Sequence, residues 1–314
     1  MFGNIPSVEY REQKCFDYFN HNNITTKTQL KDMWKTNPID GVKPDFVKAM
    51  FDDFLEYQEI RENKKIASKK GLDFHQTFVL SDLHIPFHDE NSLRNVFDCI
   101  VDYQPKNLVL CGDVLDCYSI SRFSKNPERC RNIQYEIDIF YRMMRELKKH
   151  LPSTKVFYIL GNHEARLEKL LFEHPGLYGL RALDPQNLFR LKDLGIDYYK
   201  TQVVIDNVTF AHGDRVRSSA GYSAKAEYED HRMTDGISGH THRLSSYYST
   251  YNKNMGQWYE NGCLCKLEPD YLADPAKANW QQGFTIISSY EGLTQGTQIP
   301  IQRNMFECGG HVYK

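Results

Sequence analysis

Three short apolar runs each give way at once to a small residue followed by a side chain that can hold a metal ion. They are Thr77-Phe78-Val79-Leu80 before Ser81-Asp82, Leu108-Val109-Leu110-Cys111 before Gly112-Asp113, and Val156-Phe157-Tyr158-Ile159-Leu160 before Gly161-Asn162. Runs of this length suit buried strands, so the polar residues stand where strands end. In an open α/β sheet the loops at the carboxyl ends of strands converge on one crevice, so residues far apart in sequence can meet there. That one pattern restricts the chain to an α/β architecture with a polar site at the strand ends.

The full set of segments is Ser81-Asp82-Leu83-His84, Gly112-Asp113-Val114-Leu115-Asp116, Gly161-Asn162-His163-Glu164, Ala211-His212-Gly213-Asp214 and Gly239-His240-Thr241-His242. Carboxylate oxygens, a carboxamide oxygen and neutral imidazoles together suit manganese, iron or zinc better than calcium or a thiolate-seeking metal. Taken singly, an Asp before a turn is a turn former and a His after a strand is a loop residue. Turn chemistry alone has no reason to place five of the chain's 12 histidines in this order. Glycines 112, 161, 213 and 239 flank the candidates, which fits backbone that turns sharply or approaches a metal closely.

In this order the segments resemble the calcineurin-like metallophosphoesterase superfamily. Its D-x-H, G-D-x-x-D, G-N-H-E/D, H-G and G-H-x-H pattern is matched in full between Thr77 and the end of the chain, and the joint set is specific where G-D or H-G alone is not. The resemblance implies a two-sheet sandwich flanked by helices over residues 71–314, with a helical appendage and basic linker over residues 1–70. It implies a first metal on Asp82, His84 and His242, a second on Asn162, His212 and His240, and Asp113 bridging the two. Two divalent ions about 3.5–4 Å apart can hold a hydroxide at neutral pH and brace the attacking and leaving oxygens of an in-line displacement at phosphorus. Manganese stands first among the metals, with iron, zinc or nickel as alternatives. The resemblance puts His163 on the leaving-group side and gives Asp116 the task of orienting it.

The branch ending in G-H-x-H includes phosphodiesterases, nucleases and many bacterial and phage-encoded enzymes. Ser/Thr protein phosphatases commonly carry G-D-x-x-D-R-G, whereas Cys117-Tyr118 follows Asp116 here. The expectation is therefore a phosphodiesterase acting on nucleic acid (DNA or RNA) or a nucleotide. The alternatives are a phosphomonoesterase or Ser/Thr protein phosphatase and, from another class, a nucleic-acid-binding accessory protein. Arg122, Lys125, Arg129 and Arg131 after the second segment, and Arg215 and Arg217 after the fourth, are candidate holders of non-reacting phosphates; Arg122, Lys125 and Arg215 are the positions chosen. A solvated loop explains them about as well.

His88 could line the substrate mouth or enter a helix, and it is left out of the ligand set. Cys263-x-Cys265, with Cys308 and His311, is read as ordinary packing rather than a zinc site.

A net charge of −2 argues against a uniformly basic nucleic-acid-coating protein. No apolar stretch reaches the roughly 18 residues of a spanning helix. The start, Met1 to Pro6, lacks the basic and apolar regions of a signal peptide, so the expected compartment is the cytoplasm, with eight reduced cysteines.

Residues 1–63 read as helical: Val8 to Phe19, Thr26 to Trp34, and Pro44 to Ile60 with Phe46, Met50, Phe54 and Tyr57 on one stripe. The Thr25–Leu30 region resembles a small helix-turn-helix, although such pairs are commoner as packing or oligomerisation elements, and a homo-oligomer through these helices is one use of them. Asn63 to Gly71, with four lysines, reads as a basic linker. Two amphipathic helices follow motif loops, one on Leu93, Val96, Phe97, Ile100 and Val101, the other on Ile133, Ile137, Phe140, Met144 and Leu147. After His242, aromatic and β-branched residues, an Asn261-Gly262 turn and Phe284 to Ile287 predict terminal strands that complete a second sheet.

Overall fold

The computed structural model describes residues 14–15, 17–19, 21–40, 42–52, 54–55, 74–122, 124–128, 130–251, 254–267 and 278–314. The predicted helical residues 8–13 and 56–60, the linker over 63–71 and Arg129 lie outside them. The chain divides into two compact units, Met1–Leu72 and Asp73–Lys314.

In the smaller unit, α1 (Lys27–Thr36) starts at a capping box in which Thr26 and Gln29 satisfy each other's backbone amides. Residues 44–52 are also helical. The unit's core is Phe19, Ile24, Leu30, Val47, Phe51 and Phe54, with the Phe19 and Phe51 rings edge to face at 5.1 Å. The buried stripe is thus Val47, Phe51 and Phe54, rotated from the expected one, and Phe46 and Met50 flank it half-buried.

The larger unit is a sandwich of two mixed sheets. Its first sheet has the order β11-β10-β1-β2-β3-β4, built from β1 (Phe74–Leu80), β2 (Asn107–Cys111), β3 (Lys155–Ile159), β4 (Asp197–Tyr199), β10 (Gly283–Tyr290) and β11 (Leu293–Pro300). Its second has the order β5-β6-β7-β9-β8, built from β5 (Gln202–Ile205), β6 (Val208–Ala211), β7 (Gly236–Ser238), β8 (Ser245–Tyr251) and β9 (Asn254–Glu260). Strands β1 to β4 run parallel, as do β6, β7 and β9. A small hairpin of β12 (Phe306–Cys308) and β13 (His311–Tyr313) ends the chain.

The predicted strands at Thr77, Leu108 and Val156 are β1, β2 and β3, and their unbroken apolarity has a simple cause. One face of these strands packs Val79, Val109, Cys111, Phe157 and Ile159 against Val203, Val208, Phe210, Ile237 and Tyr259 of the second sheet. Their other face sends Phe78, Leu80, Leu108, Leu110, Val156 and Tyr158 under helices α2 (Glu90–Tyr103) and α3 (Ile133–His150). With both faces covered, no polar alternation survives. Each helix packs its predicted stripe on the core, with Phe97, Val101 and Ile133 only half-buried, and is capped at its start, by Asp89 on the Ser92 amide and by Asn132 on the Tyr135 amide. Shorter helices are α4 (Arg166–Glu173), α5 (Pro185–Leu188) and α6 (Tyr222–Asp230). Ala224 and Tyr228 of α6 cover the fully buried Trp258 on the outer face of the second sheet.

The terminal strands divide between the sheets. Strands β8 and β9 complete the second sheet as expected, but the Phe284–Ile287 run lies in β10, paired antiparallel with β1 in the first. Asn261 is not an exposed turn former. It is fully buried and bonds the Val79 carbonyl, Ser81 and Thr285, which ties the two sheets together beside the site.

Candidate metal centre

The five motif segments leave the carboxyl ends of parallel strands: Asp82 and His84 after β1, Asp113 and Asp116 after β2, Asn162 and His163 after β3, His212 after β6, and His240 and His242 after β7. Backbone bonds from the Asp82 amide to the Gly112 carbonyl (3.1 Å) and from the His84 amide to the Asp113 carbonyl (2.9 Å) lock the first two loops side by side. Asp82, His84, Asp113, His240 and His242 all have φ between 50° and 69°. This left-handed backbone is uncommon outside glycine, although Asp and His tolerate it best, and such local strain collects at functional sites. Gly112 (φ 83°) allows the loop to pass His212, whose Nδ1 would stand 2.4 Å from an added Cβ; one at Gly161 would stand 2.2 Å from the Asp113 amide.

These loops bring seven donor side chains to one place. His242 Nε2 lies 3.2 Å from Asp82 Oδ1 and 3.1 Å from His84 Nε2, and His84 Nε2 lies 3.9 Å from Asp113 Oδ2. On the other side of Asp113, His212 Nε2 lies 3.3 Å from its Oδ2 and 3.0 Å from Asn162 Oδ1. Asp113, His212 and His240 form a cluster of ligand atoms within 4.8 Å of one another.

The donor chemistry fits a pair of divalent ions. His212 Nδ1 is 3.0 Å from the Cys111 carbonyl, a contact only an N–H can make, so in the neutral ring Nε2 is a bare lone pair facing two further acceptors. A metal ion between the groups satisfies all three, and in its absence a proton on Nε2 serves Asp113. Burial opposes charge on His212 and His242, yet the Asp113 and Asp82 carboxylates overrule it and lift both to about 10. Burial keeps His84 and His240 below the usual histidine value, ready to offer lone pairs.

Asp116 braces two histidines. Its Oδ1 is 3.0 Å from His84 Nδ1 and 3.1 Å from His163 Nδ1. Burial opposes its charge, but these hydrogen bonds hold its carboxyl below the usual carboxylate range. Burial and the Arg166 guanidinium push His163 down while Asp113 and Asp116 push it up, and the net direction is up. Glu164 lies beneath the loops, fully buried. Its carboxylate accepts from the amides of Asp113, Val114, Leu115 and Gly161 and from the Tyr158 hydroxyl, so it fixes the Asp113 loop against the Asn162 loop.

A family model described as calcineurin-like phosphoesterase matches residues 75–271, a span that contains every one of these donors. The chain belongs to the calcineurin-like phosphoesterase family. It is therefore a metal-dependent phosphoester hydrolase. Relatives include the Gene 54 protein of Mycobacterium phage L5, 28% identical with coverage of 75% of this chain and 97% of that protein. The Gene 54 protein of Mycobacterium phage D29 is 26% identical over the same shares. Matched solved structures include Vacuolar Protein Sorting 29 from Cryptosporidium parvum, 13% identical with TM-score 0.39 over 73% of this chain and 99% of that one. Vps29 from Chaetomium thermophilum is 10% identical with TM-score 0.40 over 73% of this chain and 87% of that one. No helix among the described residues of this phosphoesterase is long and apolar enough to cross a membrane.

The three cations expected from the phosphoesterase's sequence bond residues outside the donor set. Arg122 pairs with Glu173 at 2.8 Å, Arg215 pairs with Asp214 and Asp230, and Lys125 bonds the Ser121 carbonyl. Among the described residues, a guanidinium bonded to His163 of the centre is one the sequence did not single out. Arg166 bonds both His163 and the Asp116 carbonyl, and its i+3 spacing from His163 at the start of α4 is the signal that could have found it. Two further neighbours were missed. Cys265 Sγ is 4.0 Å from His242 Nδ1, and the Trp280 ring lies 4.3 Å from the His242 ring. Cys263 is buried, as packing predicts, and Cys308 bonds Tyr103. His88 is buried beside Cys265 through an isolated β-bridge.

Proposed function

We propose that this phosphoesterase hydrolyses phosphodiesters, of a nucleic acid or a nucleotide, at a centre of two divalent ions. Asp82, His84 and His242 would hold one ion and Asn162, His212 and His240 the other, with Asp113 shared. The observation that carries the reading is His212. Its Nδ1 is spent on the Cys111 carbonyl while its Nε2 faces Asn162 Oδ1 at 3.0 Å and Asp113 Oδ2 at 3.3 Å. Manganese is the metal we put first, since the set mixes oxygen and imidazole donors. The catalytic work is assigned to residues 71–314, with residues 1–70 an appendage.

Bound ions of this kind supply Lewis acidity at phosphorus and a nucleophile at neutral pH. The chain's own residues do the rest. Asp113 and Asp82 provide the negative charge that retains the cations in a buried site. His163, its Nδ1 turned to Asp116 and its Nε2 2.9 Å from the Arg166 guanidinium, would face the leaving oxygen with Nε2 once that guanidinium moves off, and would then give the departing group the proton it needs. Asp116 holds that ring and the His84 ring in orientation together. Cys117, buried where the protein-phosphatase pattern carries arginine, supports a diester over a phosphorylated side chain as substrate.

The test compares turnover of bis-(p-nitrophenyl) phosphate with that of p-nitrophenyl phosphate, with manganese, in the wild type and in His163→Ala. Preference for the diester, lost in the variant at unchanged metal content, is the expected result. Preference for the monoester would overturn the diester reading.

A further inference from the structure

The imidazole assigned to the leaving group is blocked. His163 Nδ1 is turned inward, 2.9 Å from the Asp116 carbonyl and 3.1 Å from its carboxylate, so Nε2 is the only ring nitrogen left to face a substrate. That nitrogen stands 2.9 Å from a terminal nitrogen of Arg166, whose other terminal nitrogen donates to the Asp116 carbonyl at 2.7 Å. A guanidinium is a donor only, so it occupies the position from which His163 must reach the leaving oxygen. A group that covers the working nitrogen of a catalytic imidazole must leave when substrate arrives, and it needs a better acceptor to leave for.

Phosphoryl oxygens are that acceptor. Arginine carries five N–H donors in a planar fork that matches two oxygens of one phosphate, and charge-assisted bonds of this type are shorter and about twice as strong as neutral ones. Only two of the five donors are used by the bonds to His163 and Asp116. Arg166 is half-buried at the first residue of α4, three positions after His163, and both its backbone amide and its side chain are tied to that histidine's loop. A substrate phosphate within reach of His163 is therefore within reach of Arg166.

We propose that Arg166 is the substrate-phosphate ligand of this centre, and that its transfer from His163 Nε2 to the phosphoryl oxygens uncovers the histidine only when substrate is bound, leaving Nε2 open to take up a proton from water and pass it to the leaving oxygen. The proposal rests on the reading of His163 as the leaving-group residue, but its phosphate-binding half does not depend on turnover. One consequence is specificity: a ligand without a free phosphoryl oxygen pair leaves the histidine covered.

The experiment measures the affinity of inorganic phosphate for the manganese-loaded full-length protein by calorimetry, in the wild type, Arg166→Lys and Arg166→Ala, with metal content determined on each sample. Arg166→Ala should bind phosphate about 10- to 100-fold more weakly at unchanged metal content, the size expected for a charge-assisted bond. Arg166→Lys should recover only part of the loss, because it lacks the fork. Guanidinium ion added to Arg166→Ala should restore both phosphate binding and diester turnover, which a merely structural role would not produce. Wild-type phosphate affinity in either variant, or no rescue by guanidinium in a folded, metal-loaded Arg166→Ala, would overturn the proposal. A wild type that binds metal and phosphate yet cleaves no diester would fault the reaction reading and leave the Arg166 assignment to be judged on these affinities.

Discussion

The Nε2 atoms of His84 and His242 face each other at 3.1 Å, and each ring has its other nitrogen turned to a partner, Asp116 for His84 and Cys265 for His242. Such a pair needs a proton on one of the two facing atoms or a metal ion between them. In the metal-free protein the Asp82 and Asp113 carboxylates outweigh burial and favour the protonated rings, holding His242 and His212 at about 10, above the ordinary 6.5.

A pH dependence of stability follows with a definite sign. A histidine whose value is raised in the folded state contributes stability that is complete below its unfolded value and is lost as pH rises through the folded one. The chelated protein should therefore lose melting temperature between pH 6.5 and about 10. The manganese-loaded protein should not, because metal replaces the protons and binds more tightly as they leave. Thermal melts across that range, with and without chelator, check this; a chelated protein whose melting temperature is flat or rising contradicts it.

Asp116 serves two histidines at once, so its replacement should affect metal binding and turnover together. Asp116→Asn keeps the size but puts an amide where His84 and His163 need an anion. Loss of such an outer partner typically costs about 10–100-fold in metal affinity or activity. We expect a loss of that order in both manganese affinity and diester turnover. A variant with normal metal affinity would show that Asp116 acts on His163 alone.

Glu164→Gln should be far from conservative. Oε1 accepts from Val114, Leu115 and Tyr158, and Oε2 from Asp113 and Gly161, so either orientation of the amide sets an NH2 against at least two donors. Each buried amide left without an acceptor costs about 1–3 kcal/mol, so a loss of at least ~2 kcal/mol in unfolding free energy is expected. Denaturant melts measure it; a change within ~0.5 kcal/mol, the range of an ordinary surface substitution, would refute the bracing role.

How far the sequence could be read depended on where the information lay. The candidate ligand positions after β1, β2 and β3 were legible because each sits directly after an apolar run, and these strands with helices α2 and α3 followed from the same runs and from helical periodicity. The sheet membership of β10 was not, because the Phe284–Ile287 run reads alike as an edge of either sheet and only its long-range pairing with β1 decides. Asn261 reads as a turn former beside Gly262 and is instead a buried brace, since nothing local reveals that the Val79 carbonyl and Thr285 will meet it. Arg166 is hidden for a related reason: it reads as one charged residue among Glu168, Lys169 and Glu173 on a short amphipathic helix, and only the fold turns its guanidinium to His163.

Metal stoichiometry tests the central claim most directly. Elemental analysis of the manganese-equilibrated, gel-filtered protein should give two ions per chain in the wild type, about one in His212→Ala, and a deficit with loss of diester turnover in Asp113→Ala, as expected for a shared carboxylate between two sites. One ion or none in the wild type, or full occupancy and activity in Asp113→Ala, would contradict the account.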